Sequence, residues 1–168
     1  MKSLCRIKNL FLPIFCALIF CPYMHGEETD ERHLFILSGQ SNMARFKPSL
    51  WFTPALSKAL GEDRVIVSFY AKGGQPISKW YKGWKGSDGS TDPQAGVLYD
   101  TMMQQTRDKI RGSKIKTVTF IWMQGERDAK AKNSEVYLNG LHGLRKQLEA
   151  DLGREDIGFV IGRLSDSG

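Results

Sequence analysis

Residues 35–46 read FILSGQSNMARF, an apolar run that stops at Gly39 and then presents Gln40, Ser41 and Asn42. The run is typical of a buried β-strand, and a glycine at its end allows the chain to turn. A serine at a strand tip is commonly the N-cap of the next helix and, more rarely, a nucleophile. Taken alone, this stretch favours the N-cap interpretation of Ser41. The choice between N-cap and nucleophile therefore depends on the rest of the sequence.

Apolar runs of the same kind recur along the chain, with helical patterns between them. The strand-like runs cover residues 34–39, 65–70, 117–125 and 157–162. One apolar stripe at helical spacing ends at Gly153, and it consists of Tyr137, Leu141, Leu144, Leu148 and Leu152. A second predicted helix contains Leu98, Met102 and Ile110 and is closed by Gly112. This alternation predicts an α/β sandwich with a parallel sheet and right-handed crossovers.

Unusual polar residues follow three of the predicted strands, where the sites of parallel sheets form. The segments are GQSNM after the first strand, AKGGQPISKW after the second and MQGERD after the third. A backbone N–H at Ser41, a main-chain N–H in the Gly73-Gly74 pair and the Gln124 amide are suitable donors for an oxyanion. The alternative to an oxyanion role is a plain turn for the Gly73-Gly74 pair and surface polarity at a strand end for Gln124. No P-loop or G-x-G-x-x-G follows a strand, which argues against a nucleotide site.

The three segments GQSNM, GGQPISKW and WMQGERDA together resemble the first three blocks of the SGNH-hydrolase superfamily. The form they resemble is the sialate O-acetylesterase-like domain of carbohydrate esterases, which include acetyl xylan esterases. The resemblance implies a three-layer α/β/α sandwich with a parallel, flavodoxin-like sheet over residues 33–168. It also implies a serine esterase that removes O-acetyl groups from carbohydrates through an acyl-enzyme, without a cofactor or metal.

The resemblance assigns roles to individual residues. Ser41 is the expected nucleophile, and its N–H, that of Gly74 (alternatively Gly73) and the Gln124 amide form the expected oxyanion hole. The expected supporting residues are Gly73, Asn42, Glu126 and Asp128, and the expected sugar contacts are Trp80, Tyr81 and Trp84, with buried packing as the alternative for Trp80. The chain departs from the common pattern at Met123, Arg127 and Gln75-Pro76, which border the expected site.

A general base for Ser41 is the missing part of this prediction. The histidines are His25, His33 and His142, and no Asp-x-x-His follows the third segment, where the resemblance expects one; His33 precedes the first predicted strand, away from the expected site. The domain is therefore expected to be incomplete at its C-terminus, without the last strand and helix. Two hypotheses stay open, an esterase in the full-length form and a non-catalytic carbohydrate-binding relic.

The N-terminal residues have the layout of a secretory signal peptide. Lys2, Arg6 and Lys8 precede the apolar residues 10–20, which predicts a signal peptide over 1–26 and a secreted or periplasmic protein, with an uncleaved anchor as the alternative. All three cysteines lie in this leader. Without it, 21 basic and 18 acidic residues remain, a net charge of +3. The expected partner is thus an acetylated carbohydrate, not a nucleic acid or a membrane.

Overall fold

The computed structural model describes residues 31–163, so the predicted signal peptide lies outside the described residues. The elements are β1 (Glu31–Gly39), α1 (Ser41–Arg45), α2 (Phe52–Leu60), β2 (Val65–Ala71), α3 (Val97–Ile110), β3 (Lys114–Met123), α4 (Glu126–Lys130), α5 (Ser134–Leu152) and β4 (Gly158–Ile161). Short 3-10 turns cover Glu62–Arg64 and Ile77–Lys79. No helix in this part of the chain is long and apolar enough to cross a membrane.

The described strands form one parallel sheet in the order β2-β1-β3-β4. All four strands match the apolar runs of the sequence, and the order agrees with the predicted flavodoxin-like arrangement. From β1 the chain moves outward to β2 and then returns to the other side of β1 to form β3. The strand order therefore reverses between β1 and β3, which is where such sheets place their sites.

The sheet carries helices on both faces. Leu34 and Ile36 of β1 belong to the main core cluster, which the buried residues of α3 and α5 complete. Phe35 points to the opposite face, where its ring meets that of Phe52 in α2 edge-on at 5.7 Å. This alternation along β1 produces the three-layer α/β/α sandwich, because successive side chains of a strand point to opposite faces.

The two predicted helices are α3 and α5, and α5 ends as expected at Gly153 with a left-handed backbone (φ 64°). Helix α2 was not predicted. It has no fully buried residue and carries Pro54 in its first turn, where a proline is tolerated because no intrahelical N–H bond is lost. A short helix with so weak a pattern leaves little signal in the sequence.

Candidate active site

The turn after β1 depends on a close approach of two strand ends. Gly39 has φ +144°, and a Cβ on it would lie 2.0 Å from the carbonyl oxygen of Met123 at the end of β3. The next residue, Gln40, donates its backbone N–H to that same oxygen at 3.0 Å. Only glycine lets β1 and β3 end side by side here, and this junction sets the position of Ser41.

Ser41 is the first residue of α1, and Gln40 occupies the N-cap position without a side-chain capping bond. The N-cap interpretation of Ser41 is therefore wrong. Ser41 is partly exposed, and within residues 31–163 its hydroxyl has no hydrogen-bond partner. A partly exposed, unengaged hydroxyl at the topological switch point of the sheet is free to meet a ligand.

The glycine pair after β2 lies beside Ser41. A Cβ on Gly73 would lie 3.7 Å from the Cβ of Ser41, which is an ordinary van der Waals contact. The main chain at Gly73 is therefore directly adjacent to the serine side chain. Gly74 has φ +69° and open space where its side chain would be. Both glycines are exposed, which leaves this stretch of backbone accessible next to the hydroxyl.

Glu126, the first residue of α4, holds both neighbours of Ser41. Its carboxylate accepts one hydrogen bond from the side-chain amide of Gln40 and another, at 2.5 Å, from that of Asn42. Gln40 is only 3% exposed, so its bond is protected from water. The strand end before the serine and the helix after it are thus tied to α4 by one carboxylate.

Gln124 is buried (2% exposed) and its amide is already engaged. The Nε2 atom donates to Asp128 Oδ2 at 2.5 Å and to the carbonyl of Gln75 at 3.1 Å, with Gln40 Oε1 a further 3.4 Å contact. Both amide hydrogens therefore have partners inside the protein. The oxyanion role of Gln124 stays a prediction, and it requires one of these bonds to be exchanged for the substrate.

Asp128 connects this loop to the turn after β2. Its Oδ2 accepts the backbone N–H of Ile77 at 2.9 Å in addition to the Gln124 amide. The side chain is 1% exposed, and burial is the main cause that raises the pKa of its carboxyl above the usual value, although the hydrogen bonds act in the opposite direction. Asp128 thus fixes one loop against another, and its supporting role in catalysis stays a prediction.

Tyr137 is a member of this network that the sequence analysis treated only as part of an apolar stripe. Its hydroxyl donates to the backbone carbonyl of Gln124 at 2.7 Å and accepts from Trp122 Nε1 at 3.1 Å. Burial raises the pKa of Tyr137 to about 12, so the hydroxyl keeps its proton and remains a donor. No motif marks it, because a bond to a main-chain carbonyl, here 13 residues earlier in the chain, requires no particular residue type at the partner position.

The three aromatic residues predicted to contact sugar do not share one environment. Trp80 is fully buried and donates its Nε1–H to Ser38 Oγ at 2.9 Å, so it is a core residue and its predicted sugar contact is wrong. Tyr81 and Trp84 are partly buried against α5, next to Gly143 and Gly140 respectively. A sugar contact through these two stays a prediction.

Neither histidine of the described chain is placed to serve Ser41. His33 lies near the start of β1, at the opposite end of the strand, and its Nδ1 lies 2.8 Å from Thr117 Oγ1. His142 is exposed on α5. The arrangement around Ser41 thus supplies a hydroxyl, accessible backbone and a rigid frame, but no imidazole from residues 31–163.

Comparisons with known proteins bear on the fold and the family of the chain. A solved crystal structure of an Arabidopsis thaliana protein superposes with a TM-score of 0.58 at 19% sequence identity, over 82% of this chain and 89% of that one, which shows a shared fold. No curated protein sequence matches significantly. Residues 44–168 match the family described as carbohydrate esterase, sialic acid-specific acetylesterase, a region that begins just after Ser41 and includes Gln124, Glu126 and Asp128. The chain therefore belongs to this family of carbohydrate esterases.

Proposed function

We propose that the protein is a serine esterase that removes O-acetyl groups from carbohydrates, with Ser41 as the nucleophile. The observation that carries the proposal is the setting of Ser41. Its unengaged hydroxyl lies at the topological switch point, beside the exposed backbone of Gly73, while Glu126 holds the residues on either side of it. A nucleophile needs this combination of access and fixed position.

The reaction divides into two acyl transfers. Ser41 Oγ attacks the acetyl carbonyl and loses its proton to a base, and the sugar oxygen leaves and takes up a proton. Water then attacks the acetyl-serine ester, which releases acetate and restores the serine. The N–H groups of Ser41 and Gly74 are the proposed oxyanion donors, and the Gln124 amide joins them if it gives up an internal partner. Neither His33 nor His142 lies where it could act as this base.

Acetate release from acetylated xylan and from O-acetylated N-acetylneuraminate tests the proposal. The protein is compared with its Ser41→Ala variant and with Ser87→Ala, the same substitution at an exposed loop serine. We expect Ser41→Ala to abolish release and Ser87→Ala to leave it unchanged. The two substrates separate a sialate preference from a xylan preference. Release that survives Ser41→Ala unchanged would contradict the assignment.

A non-catalytic carbohydrate-binding protein is the second candidate, and the positions of His33 and His142 favour it. Without a base, a serine at its ordinary pKa is a weak nucleophile, and loss of general base catalysis costs about 10²–10⁴-fold in rate. This candidate predicts glycan binding that survives Ser41→Ala and weakens in Trp84→Ala. Isothermal titration calorimetry with deacetylated xylan oligosaccharides measures this binding, and binding without any acetate release that depends on Ser41 distinguishes this candidate from the esterase.

A further inference from the structure

Three exposed apolar side chains follow the helix that carries Ser41. They are Phe46, Leu50 and Trp51, here called the loop patch, and they are 38%, 57% and 78% exposed. An aromatic side chain offers about 150–250 Å² of surface, so Trp51 alone leaves roughly 200 Å² in contact with water. Apolar patches of about 300–600 Å² on a monomeric protein are often functional, and the loop patch approaches this size.

The backbone holds the loop patch in one compact turn. Leu50 donates its N–H to the carbonyl of Lys47 at 3.1 Å, and Thr53 donates to the carbonyl of Pro48 at 2.8 Å. The ring of Phe46 meets that of Phe52, the residue after Trp51, edge-on at 6.1 Å. The two ends of the patch are therefore neighbours in space as well as in sequence.

Trp51 has no structural task that explains its size. It occupies the N-cap of α2 without a side-chain capping bond, where Ser, Thr, Asp and Asn are the usual residues. Within residues 31–163 its ring contacts no other aromatic ring and its Nε1 has no hydrogen-bond partner. A large aromatic side chain that neither caps a helix nor packs in the core is available to a ligand.

The loop patch lies at a limited distance from Ser41. Phe46 comes directly after α1, and a rise of about 1.5 Å per residue places it about 8 Å along the helix axis from Ser41. Phe52 meets Phe35 of β1, which lies about 13 Å before the end of that strand. Trp51 is therefore on the order of 10–25 Å from Ser41. A glycan chain that carries the ester at Ser41 can reach Trp51 with a sugar several residues away.

We propose that the loop patch binds an extended, β-1,4-linked glycan chain several residues from the acetylated sugar, with Trp51 stacked on one pyranose ring. The inference rests on the proposed function, because Ser41 holds the ester of the same chain. Membership of a carbohydrate esterase family supports a glycan as the ligand. A chain with this linkage is flat and presents C–H faces that suit an indole ring. Its hydroxyls suit the exposed Lys47 and Ser49 between the apolar residues.

The size of the loop patch favours a glycan over a second copy of the chain. A stable protein interface buries about 800 Å² on each partner. Trp51, Leu50 and Phe46 together fall well short of that area. The face of one or two sugar rings is a closer match.

The first test compares long and short chains that carry no ester. Isothermal titration calorimetry measures xylohexaose and cellohexaose against xylobiose and cellobiose. We expect a hexasaccharide to bind the unaltered protein about tenfold more tightly than its disaccharide, because only the long chain removes the indole face from water. If neither hexasaccharide binds more tightly than its disaccharide, the proposal is overturned.

Substitutions assign this gain to Trp51. Trp51→Ala should abolish the advantage of the long chain, and Trp51→Phe should retain part of it because an aromatic face remains. The matched control is Leu138→Ala, a truncation at a residue that is 59% exposed on α5, and it should keep the full advantage. An advantage that persists in Trp51→Ala contradicts the proposal.

The indole N–H signal of Trp51 gives a readout in the unaltered protein, which does not depend on the folding of a variant. The signal is assigned by its absence from the NMR spectrum of Trp51→Phe. Xylohexaose or cellohexaose should shift it, and the disaccharides should not. A signal that neither hexasaccharide moves shows that the chain does not stack on Trp51.

Kinetics separate a binding role of Trp51 from a structural one. On acetylated xylan, Trp51→Ala should raise KM about tenfold and leave kcat unchanged, since the contact lies far from the reacting ester. Release of acetate from 4-nitrophenyl acetate, which has no glycan, should stay at the level of the unaltered protein. Equal losses on both substrates would contradict a glycan contact.

Two further results are distinguishable from these. Sedimentation velocity should show a monomer, and a dimer that dissociates in Trp51→Ala would assign the loop patch to a second copy and overturn the proposal. The hexasaccharides carry no ester, so their binding requires no catalysis. Acetate release that depends on Ser41 without an advantage of long chains overturns the loop patch alone. Binding of long chains through Trp51 with acetate release that ignores Ser41 overturns the nucleophile alone.

Discussion

Replacing Gly39 with alanine is expected to destabilise the protein by about 3–4 kcal/mol, because the junction of β1 and β3 has no room for a methyl group. The added Cβ would lie 2.0 Å from the Met123 carbonyl oxygen, about 1 Å short of the nearest distance that real Cβ atoms show. A side chain at φ +144° adds backbone strain of about 1–3 kcal/mol. Moving the strand ends apart also breaks the bond from Gln40 N–H to Met123, worth about 1 kcal/mol.

Urea unfolding followed by circular dichroism measures this loss, and a change of that size lowers the melting temperature by about 10 °C. The matched control is Gly112→Ala. Gly112 also has a positive φ, +73°, but nothing lies within 4 Å of its added Cβ. The control should cost about 1 kcal/mol from backbone strain alone. If Gly39→Ala unfolds no more easily than Gly112→Ala, the close approach of the strands does not constrain the turn before Ser41.

Three further substitutions test the frame of the site. Glu126→Gln removes one of the two acceptors that hold the neighbours of Ser41, and we expect it to lower acetate release about tenfold by loosening the nucleophile while the urea midpoint changes little. Asp128→Asn should gain stability relative to the unaltered protein as the pH rises from about 4, because a carboxyl whose folded pKa is raised loses stability as it ionises. A difference in urea midpoint that is constant with pH would contradict this. Trp80→Phe should lower the free energy of unfolding by about 2–3 kcal/mol, because it loses packing and the hydrogen bond to Ser38. The control Trp51→Phe, at a residue that is 78% exposed, should lower it by less than about 0.5 kcal/mol in the same unfolding assay.

Much of the fold could be predicted from local pattern. The strands of a parallel sheet are buried on both faces, so they appear as continuous apolar runs, and β1 to β4 all coincide with such runs. Helix α5 showed a stripe of regular spacing and a closing glycine. Helix α2 was not predicted, because it buries no residue completely and so shows no clear apolar stripe. A pattern of burial can reveal only those elements that the core requires.

The residues of the candidate site were predicted by type and by order, but their partners were not. The sequence placed Ser41, Gln124 and Glu126 at strand ends, yet it gave no sign that Glu126 holds Gln40 and Asn42. From the sequence, Trp80, Tyr81 and Trp84 were predicted together as sugar contacts. Burial separated them, because Trp80 lies in the core.

By itself, the sequence determined the strand order along the chain, the positions of the strand ends and the residue types available there, since these depend on hydrophobic pattern and local turns. Only the tertiary structure decided that Gly39 is required by Met123 and that the Gln124 amide is engaged by the carbonyl of Gln75. Both facts depend on contacts between residues far apart in the chain, Gly39 with Met123 and Gln124 with Gln75, the latter 49 positions apart. Such contacts are set by the packing of whole elements against one another, which no local pattern records.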